Sequence, residues 1–392
     1  MNRRLRARRS PQIDVTLLAI VLMLTGAGLL SILSASAPVA EQGLSHTLYY
    51  VQRQGMWCVV GLVALVAATF VNMTLIRGLA KWVLLATAAL LMCTHVPGIG
   101  ITELGSSRWL RVGPFSVQPS EVAKLSLAVY LADRLARQGD KPWSLLTVRH
   151  TLAPTLGVLA LVLVQPDLGT TIVLAICAFA VFFAYGTRIW LLGGTALVAV
   201  AGVLYSSFNT DYQRQRWIGF LNPWAEPQGN GYQLVQSLMA IGSGGVLGVG
   251  FGQSKQKLFY LPIQYADFIF AVLAEEFGLI GCVSLLALFL LLAWRGISIA
   301  REARDPFHAL LALALTTIVV GQAYINIGVV TASLPTTGIP LPFLSFGGSS
   351  LVITMFSMGL LLNISRHNHK AQEAQAAAEN GALEARSGAG QP

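Results

Sequence analysis

The stretch VTLLAIVLMLTGAGLLSIL, residues 15–33, contains no charged side chain and is nearly long enough to cross a membrane as a helix. Such a span needs about 20 predominantly apolar residues, and runs approaching that length recur along the chain. We count ten of them, at 15–33, 55–71, 82–96, 120–132, 151–164, 168–185, 190–205, 268–294, 308–330 and 349–364. The pattern predicts an all-α integral membrane protein, a polytopic bundle of about ten transmembrane helices.

The composition agrees with a membrane protein. Only 11% of the 392 residues are charged, 55% are hydrophobic, and the mean hydropathy is +0.65, whereas soluble domains are about a quarter charged. Five arginines precede the first apolar run and the small residues 35–37 follow it, which is the general layout of a cleavable signal peptide. The run exceeds the apolar core of about 7–15 residues that signals carry, and Pro38 disfavours cleavage. We therefore expect the first run to be a retained helix.

The basic residues predict the orientation, because cationic loops stay on the cytoplasmic side. Most of the 26 Lys and Arg residues fall on one side if both termini lie inside. The expected organisation is a basic cytoplasmic N-terminus (1–14), a transmembrane domain (15–364) and a disordered cytoplasmic tail (365–392). The net charge of +9 is then mostly a topology signal, and no nucleic-acid partner is expected.

The longest connection, residues 206–266, lies outside the membrane in this topology, between the seventh and eighth helices. Its glycine-rich part, IGSGGVLGVGFGQSKQK at 241–257, lacks the preceding strand and the G-K-[ST] ending of a phosphate-binding loop. It predicts a flexible loop that lies against the membrane. The four cysteines lack C-x-x-C spacing and the six histidines are scattered, so no metal site is expected.

Several polar residues lie where they are costly and therefore need a partner or a function. Glu121 and Lys124 are three apart on one helix face and form either a structural ion pair or part of a polar cavity. Asp167, in QPDLGT, either caps the sixth helix or faces a site. Arg108 and Trp109 lie at the outer surface, where Trp109 alone would suit the membrane interface.

Two further stretches each allow a structural and a functional interpretation. LPTTGIPLPFLSFGGSS, residues 334–350, is uncharged and rich in Pro and Gly, so it is either a plain connection or the irregular wall of a cavity. Asp267, in LPIQYADFIFAVLAEEFG at 261–278, is either a helix N-cap or part of an anion site with the cations of the outer loop. At least one of Glu275 and Glu276 should face the bundle interior.

Six motifs occur in order: GSSRWLRVG, QPSEVAK, QPDLGT, GYQLVQSLMAIGSGG, DFIFAVLAEEFG and LPTTGIPLPFLSFGGSS. Together they resemble the SEDS family of bacterial cell-wall polymerases, the FtsW, RodA and SpoVE proteins, from about the first helix to the tenth. QSKQKLFYLP, residues 253–262, resembles the division branch, FtsW, more than the elongation branch, RodA.

The resemblance implies a peptidoglycan glycosyltransferase that acts on lipid II, a disaccharide-pentapeptide on undecaprenyl diphosphate, at the outer face of the bacterial plasma membrane. It places the enzyme at the division septum with a class B penicillin-binding transpeptidase and other divisome membrane proteins. The transpeptidase's membrane helix is expected to pack near residues 286–292 and 311–319.

The resemblance also assigns residues. Asp267 matches the essential acid of the family's TDFIF motif, and Trp109, Glu121 and Lys124 match its RW and PSE..K motifs. Where the family usually reads PEAHTDFIF, this chain reads PIQYADFIF, which leaves no role for the family's Glu, His and Thr side chains.

In the implied chemistry Asp267 is the general base and cations hold the diphosphate. The candidates for the cations are Arg214, Arg216, Lys255 and Lys257, with Arg108 and Asp167 also near the substrate. An α-linked donor and a β-linked product imply a single inverting displacement, so Glu275 and Glu276 are expected to be structural. A divalent cation, Mg or Mn, could assist the diphosphate, and no other cofactor is expected. The alternatives are a lipid II flippase, an elongation-type polymerase and a purely structural divisome scaffold.

Overall fold

The computed structural model describes residues 13–43, 49–96, 100–103, 106–113, 115–139, 145–209, 211–257 and 265–388. Over these ranges the chain forms twelve helices and three short strands. In chain order they are α1 (Val15–Gly43), α2 (Tyr49–Phe70), α3 (Met73–Cys93), β1 (Gly100–Glu103), β2 (Ser106–Val112), β3 (Phe115–Val117), α4 (Pro119–Gln138), α5 (Leu145–Val164), α6 (Leu168–Ala184), α7 (Ile189–Asn209), α8 (Asp211–Leu221), α9 (Tyr232–Gly244), α10 (Ile269–Glu302), α11 (Pro306–Val330) and α12 (Gly348–Gly388).

Seven of the described helices are long and apolar enough to cross a membrane: α1, α2, α3, α7, α10, α11 and α12. The apolar helices α5 and α6 are shorter by this measure. Each of the ten predicted runs falls on a helix. The run at 120–132 falls on α4, a helix of mixed composition, most of whose side chains are buried among its neighbours. The multi-pass helical fold is therefore confirmed, while the count of ten spans and their orientation stay predictions.

The bundle is built around α11, which packs against α4, α6 and α10. Leu311 and Leu315 are completely buried and Val319 is 2% exposed. The predicted partner surface at 311–319 is therefore wrong for these side chains, because they already pack inside the bundle. In α7, by contrast, only 6% of the apolar segment is buried inside the protein, so this helix lies at the periphery of the bundle.

A small antiparallel sheet, β1–β2–β3, corrects the all-α prediction. Strand β2 alternates between inside and outside, with Leu110 buried and Arg111 exposed. Gly113, at φ +62°, makes the turn into β3, a conformation that glycine adopts without steric cost. The sheet leads directly into α4 and brings Arg108 and Trp109 to the end of the bundle where α4 and α6 begin.

The predicted flexible loop is also corrected, since it contains α8 and α9 and then packs its glycine-rich part against α10. That helix is interrupted at Gly278, where φ is 62° and ψ is −160°. The loop supplies the backbone partners that the break leaves: Val249 N donates to Glu275 O at 3.0 Å, and Leu279 N donates to Gly245 O at 2.9 Å. Backbone groups at membrane depth need such partners because water is absent there.

The tail differs from its prediction as well. Residues 365–388, predicted to be disordered, continue α12 as a helix. The physical reason is composition, because Ala, Glu and Gln have high intrinsic helix propensities even without an apolar face.

Candidate active site

Asp267 lies in a turn directly before α10 and lines a polar cavity of about 470 Å³. The helix begins at Ile269, its N-cap is Phe268, and no described side chain caps it. The alternative that Asp267 is the N-cap of this helix is therefore wrong. The residue as a whole is partly buried, and it belongs to the lining of the cavity.

Two arginines line the same cavity. Arg216, on α8, donates from Nη1 to Thr336 O at 3.1 Å. Arg108, on β2, donates from Nε to Gln165 O at 3.2 Å and from Nη2 to Pro166 O. Backbone carbonyls thus orient both guanidinium groups, which would hold a fixed position as a substrate enters.

Gly338 lies between the acid and one of these arginines. Its φ of +71° suits glycine, and a Cβ added there would lie 3.5 Å from Asp267 Oδ2 and from both terminal nitrogens of Arg216. Asp267 and Arg216 therefore flank the same piece of backbone, and the missing side chain leaves the space between them open.

The electrostatics of the cavity act on Asp267 in both directions. Burial raises the pKa of its carboxyl above the ordinary value, and the nearby Asp167 carboxylate adds to that rise. Arg216, and then Arg108, oppose it by favouring the charged form. Burial prevails, so Asp267 holds a proton more tightly than an exposed aspartate does.

The uncharged segment after α11 forms one wall of the cavity. Of its two predicted roles, cavity wall or plain connection, the structure therefore supports the first. Gln322 Nε2 donates to Pro340 O at 2.8 Å. Asn326 Nδ2 donates to both Ile339 O and Asp267 O, at 2.8 Å each. Two amides of α11 thus hold the irregular backbone and the main chain of Asp267 in one arrangement.

Asp167 serves as the cap of α6, as one of its two predicted readings had it. Its Oδ1 accepts from Thr170 N at 3.2 Å, and its Oδ2 accepts from Ser120 Oγ at 3.1 Å. It reaches the cavity through Gln118, whose Nε2 donates to Oδ2 at 3.3 Å and which lines the cavity together with Trp109.

Glu121 and Lys124 form the buried ion pair that was one of their predicted readings. Lys124 Nζ lies 2.8 Å from Glu121 Oε2, and both side chains are nearly inaccessible. Neither residue lines the cavity. Lys124 also donates to Gln322 Oε1, so the pair contacts the cavity wall through the amide that holds Pro340.

The structure brings only one of the four loop cations to the cavity. Arg214 and Lys255 are exposed and do not line it. Lys257 is buried elsewhere: its Nζ donates to Ser34 Oγ at 2.9 Å, to Gly252 O at 2.7 Å and to Glu276 Oε1 at 3.1 Å. An ammonium group has three protons to donate, and these contacts use them. Arg216 is the remaining candidate from the loop.

The two glutamates of α10 have partners of a structural kind. Glu275 accepts from Ser254 Oγ at 2.5 Å and from Lys255 N at 3.0 Å, while Glu276 pairs with Lys257. Both carboxylates hold the end of the glycine-rich loop against the helix. These contacts agree with the structural role expected for them.

Sequence reasoning assigned no function to the individual neutral polar residues of the cavity, although four of them lie in the stretch 334–350 that it gave as a possible cavity wall. The neutral polar residues are Gln118, Gln215, Asn230, Gln233, Asn326, Thr336, Thr337, Ser349 and Ser350. One signal was available, because Gln322 and Asn326 are four residues apart on an otherwise apolar helix and must share a face. Gln215 lies within α8, and the others lie in loops or at helix ends, where polar residues are common.

A second cavity, of about 480 Å³, is lined almost entirely by apolar side chains of α5, α6 and α7. Its lining also includes Trp217, Leu334 and Pro335. These residues adjoin Arg216 and Thr336, which line the polar cavity. A charged region and an apolar region are thus neighbours at the same end of the bundle.

Comparison with known proteins identifies the family. Residues 15–370 match the FtsW, RodA and SpoVE family, described as "Cell cycle protein". The chain is 38% identical over 366 residues to the probable peptidoglycan glycosyltransferase FtsW of Geobacter metallireducens, covering 93% of this chain and 98% of that one. It is 39% identical over 360 residues to stage V sporulation protein E of Bacillus subtilis, covering 91% and 97%.

Solved structures agree with the sequence matches. A chain from a peptidoglycan synthase complex, studied for the coordination of polymerization and crosslinking, superposes with a TM-score of 0.74 at 30% identity and covers 91% of this chain and 98% of its own. The rod shape determining protein RodA of Thermus thermophilus superposes with a TM-score of 0.67 at 27% identity, covering 91% and 97%. The family match over nearly the whole chain, together with these relatives, shows that the chain belongs to the FtsW/RodA/SpoVE family.

Proposed function

We propose that this protein is a peptidoglycan glycosyltransferase that polymerises lipid II into glycan strands at the outer face of the bacterial plasma membrane. The observation that carries the proposal is the cavity in which Asp267 faces Arg216 across Gly338, with Arg108 on the same lining. The names of the relatives support the activity. The FtsW relatives also support a role in cell division, at the septum, over the elongation role of RodA.

Asp267 acts as the general base. The acceptor sugar hydroxyl gives its proton to the carboxylate as its oxygen bonds to the anomeric carbon of the donor. The bond from that carbon to the diphosphate breaks at the same time, and undecaprenyl diphosphate leaves with the electron pair. The raised pKa of Asp267 suits this role, because a more basic carboxylate takes a proton more readily once it is ionised.

Arg216 and Arg108 hold the diphosphate. A guanidinium group presents paired donors that match phosphate oxygens and stays charged at every working pH. Both groups are oriented by backbone carbonyls before the substrate arrives, so they stabilise the charge that develops on the leaving group without rearrangement.

The apolar cavity takes the prenyl chain. It begins beside Trp217 and Pro335, one residue from Arg216 and Thr336 of the polar cavity. A lipid diphosphate bound across this boundary would place its phosphates at the arginines and its hydrocarbon among α5, α6 and α7.

A divalent cation has little support from this chain's own residues. Over the part of the chain that the structure describes, no group of three His, Cys, Asp or Glu residues could hold a metal ion. Asp267 is the one carboxylate among the residues that line the described cavity. A Mg or Mn ion would therefore depend on the diphosphate for most of its ligands, and we derive no step through it.

Crosslinking of the strands would fall to a partner, a class B penicillin-binding transpeptidase, alongside other divisome membrane proteins. The solved peptidoglycan synthase complex, in which polymerization and crosslinking are coordinated, supports this assignment. Where a lipid II flippase would need polar groups through the whole bilayer depth, the lining of the polar cavity gathers at one end of the bundle, which favours the polymerase.

The purified protein should polymerise labelled lipid II, most strongly with its transpeptidase, and Asp267→Asn should abolish polymerisation because it removes the base. Asp305→Asn is the matched control. Asp305 caps α11 by accepting from Phe307 N at 3.1 Å, and asparagine caps equally well. Strand lengths read on gels and the melting temperature in detergent decide the outcome. Wild-type strands from Asp267→Asn would contradict the proposal, as would transport of lipid II without polymerisation.

A further inference from the structure

Three successive main-chain carbonyls in the turn before α10 accept hydrogen bonds from α11 and from the uncharged wall of the cavity. The pairs are Phe346 N to Tyr265 O at 2.9 Å, Ser345 Oγ to Ala266 O at 2.6 Å, and Asn326 Nδ2 to Asp267 O at 2.8 Å. An aspartate side chain is short, so the position of its carboxylate follows the position of its main chain. These bonds therefore position the base of the proposed reaction, although none of them involves its carboxylate.

Ser345 joins the wall to this turn through one hydroxyl group. Its Oγ accepts from Leu341 N at 2.8 Å and donates to Ala266 O, the carbonyl of the residue just before Asp267. The residue is 5% exposed and is not among those that line the polar cavity. A hydroxyl can accept and donate at once, which alanine cannot do. Ser345 therefore acts on the turn rather than on a bound substrate.

Helix α2 supports the same part of the wall. Gln54, which is 1% exposed, donates from Nε2 to Ser345 O at 3.3 Å and accepts at Oε1 from Gly347 N at 3.3 Å. These two bonds flank Phe346, whose N–H holds Tyr265 O. A buried amide that is paired at both ends cannot move without leaving a polar group unsatisfied. Helix α2 thus fixes the wall at the point where the wall holds the turn.

Aromatic rings pack between α2, the wall and the turn. The ring of Tyr265, which stands where the family's motif usually has a histidine, lies 4.6 Å from that of Tyr50 on α2 and 5.8 Å from that of Phe346, measured between centroids. The centroids of Tyr50 and Phe346 are 5.3 Å apart. Aromatic pairs at such separations stabilise one another. This chain's own tyrosine thus supports the turn close to Asp267.

We propose that Ser345 is a positioning residue that holds Asp267 in its working place, with Gln54 supporting the wall behind it. The inference rests on the proposed function and deepens it, because it names groups outside the cavity on which the reaction depends. A shift of about 1 Å in a reacting group can cost about a hundredfold in rate. The arginines that hold the diphosphate are oriented by other carbonyls, so loss of the Ser345 hydroxyl displaces the base and leaves substrate binding intact.

The test measures kcat and KM separately, with the full-length protein and lipid II, at a temperature at which every variant is folded. Ser345→Ala removes both hydrogen bonds of the hydroxyl and should lower kcat about tenfold or more while KM stays unchanged. Gln54→Leu removes the amide, which does not line the cavity, and should lower kcat in the same way. Both variants should also have a lower melting temperature, because each loses buried hydrogen bonds.

Ser237→Ala is the matched control. Ser237 is fully buried on α9, its Oγ donates to Val330 O at 2.6 Å, and it does not line the cavity. It should lower the melting temperature and keep the wild-type kcat, which separates a loss of positioning from a loss of stability.

The proposal is overturned if Ser345→Ala keeps the wild-type kcat, if it changes KM alone, or if Ser237→Ala loses as much kcat. Where Ser345→Ala does not fold, the same outcomes for Gln54→Leu decide. Those results leave the polymerase assignment standing as long as the wild-type protein makes strands, whereas an inactive wild-type protein would remove both.

Discussion

At the scale of single residues, the chemistry depends on the charge state of Asp267. Its carboxyl is buried enough that its pKa lies above the ordinary value, although Arg216 and Arg108 pull it down. A base works only when it has lost its proton, so activity should rise with pH through this elevated pKa. Arg216, the cation that opposes the shift most, therefore lowers the pH at which the enzyme becomes active.

Replacing that cation gives a direct prediction. Arg216→Gln removes the largest charge effect favouring the Asp267 carboxylate, so the pKa rises further and the ascending limb of the kcat/KM profile moves to higher pH. Arg214→Gln is the matched control, because Arg214 is exposed, two residues away and outside the cavity. Profiles of the two variants and the wild type, measured with lipid II, decide it. An unmoved limb in Arg216→Gln would mean that another group titrates.

The sequence could predict a functional role for Asp267 because an acid at the start of a long apolar run is recognisable without knowledge of the fold. It could not choose among the loop cations, since that choice depends on distant partners. Lys257 points away from the cavity because its Nζ donates to Ser34 Oγ, and Ser34 lies 223 positions away in the chain. Nothing in the local pattern separates Lys257 from Arg216.

At the scale of elements, the break in α10 decides how the outer loop is held. Gly278 leaves the helical conformation, and Gly244 and Gly248 bring the loop backbone against α10 so closely that a Cβ on either would lie 2.1 Å from a carbonyl oxygen. The glycine pattern suggested flexibility because glycine permits many conformations. Here the same property allows one close backbone docking, which depends on contacts between distant segments that a local pattern does not reveal.

Gly278→Ala should therefore displace the glycine-rich loop from its contact with α10. A Cβ there would lie 2.3 Å from Gly248 N and 2.6 Å from Val246 O, both backbone atoms, and φ is +62°. We expect a loss of at least about 2 kcal/mol in unfolding free energy from backbone strain and lost hydrogen bonds. Gly242→Ala, on the open side of α9, should instead be neutral or stabilising by about 0.5–1 kcal/mol. Equal melting temperatures for both variants would contradict the docking argument.

At the scale of the whole molecule, the proposed reaction requires that the cavity face away from the cytoplasm. A reporter active only in the cytoplasm should work when fused after Lys370, on the extension of α12, and fail when inserted at Gln228, in the exposed turn between α8 and α9. The reason is the distribution of basic residues, which predicts that both termini lie inside. The opposite pattern of reporter activity would invert the bundle and exclude lipid II polymerisation at the outer face.

The surface of the bundle also indicates where a partner's membrane helix could pack. The side chains at 311–319 named above are buried, so the predicted contact falls on α10 alone. There Leu290 is 57% exposed, Leu291 is 46% exposed and Trp294 is 61% exposed. This face belongs to the part of α10 that follows the break at Gly278. The part of α10 before the break begins at Ile269, two residues after Asp267.

A helix that packs on this face could favour one arrangement of the broken helix, and with it of Asp267, by as much as its affinities for the two arrangements differ. Adding the cognate transpeptidase should therefore raise polymerisation even when its own catalytic serine is disabled. The double variant Leu290→Ala, Leu291→Ala should weaken that activation while leaving the unassisted rate unchanged. Leu85→Ala, Leu90→Ala, on the exposed face of α3, is the matched control and should leave activation intact. Equal activation of both double variants would place the partner on a different face, and an isolated protein as fast as the complex would show that the partner does not act on the polymerase at all.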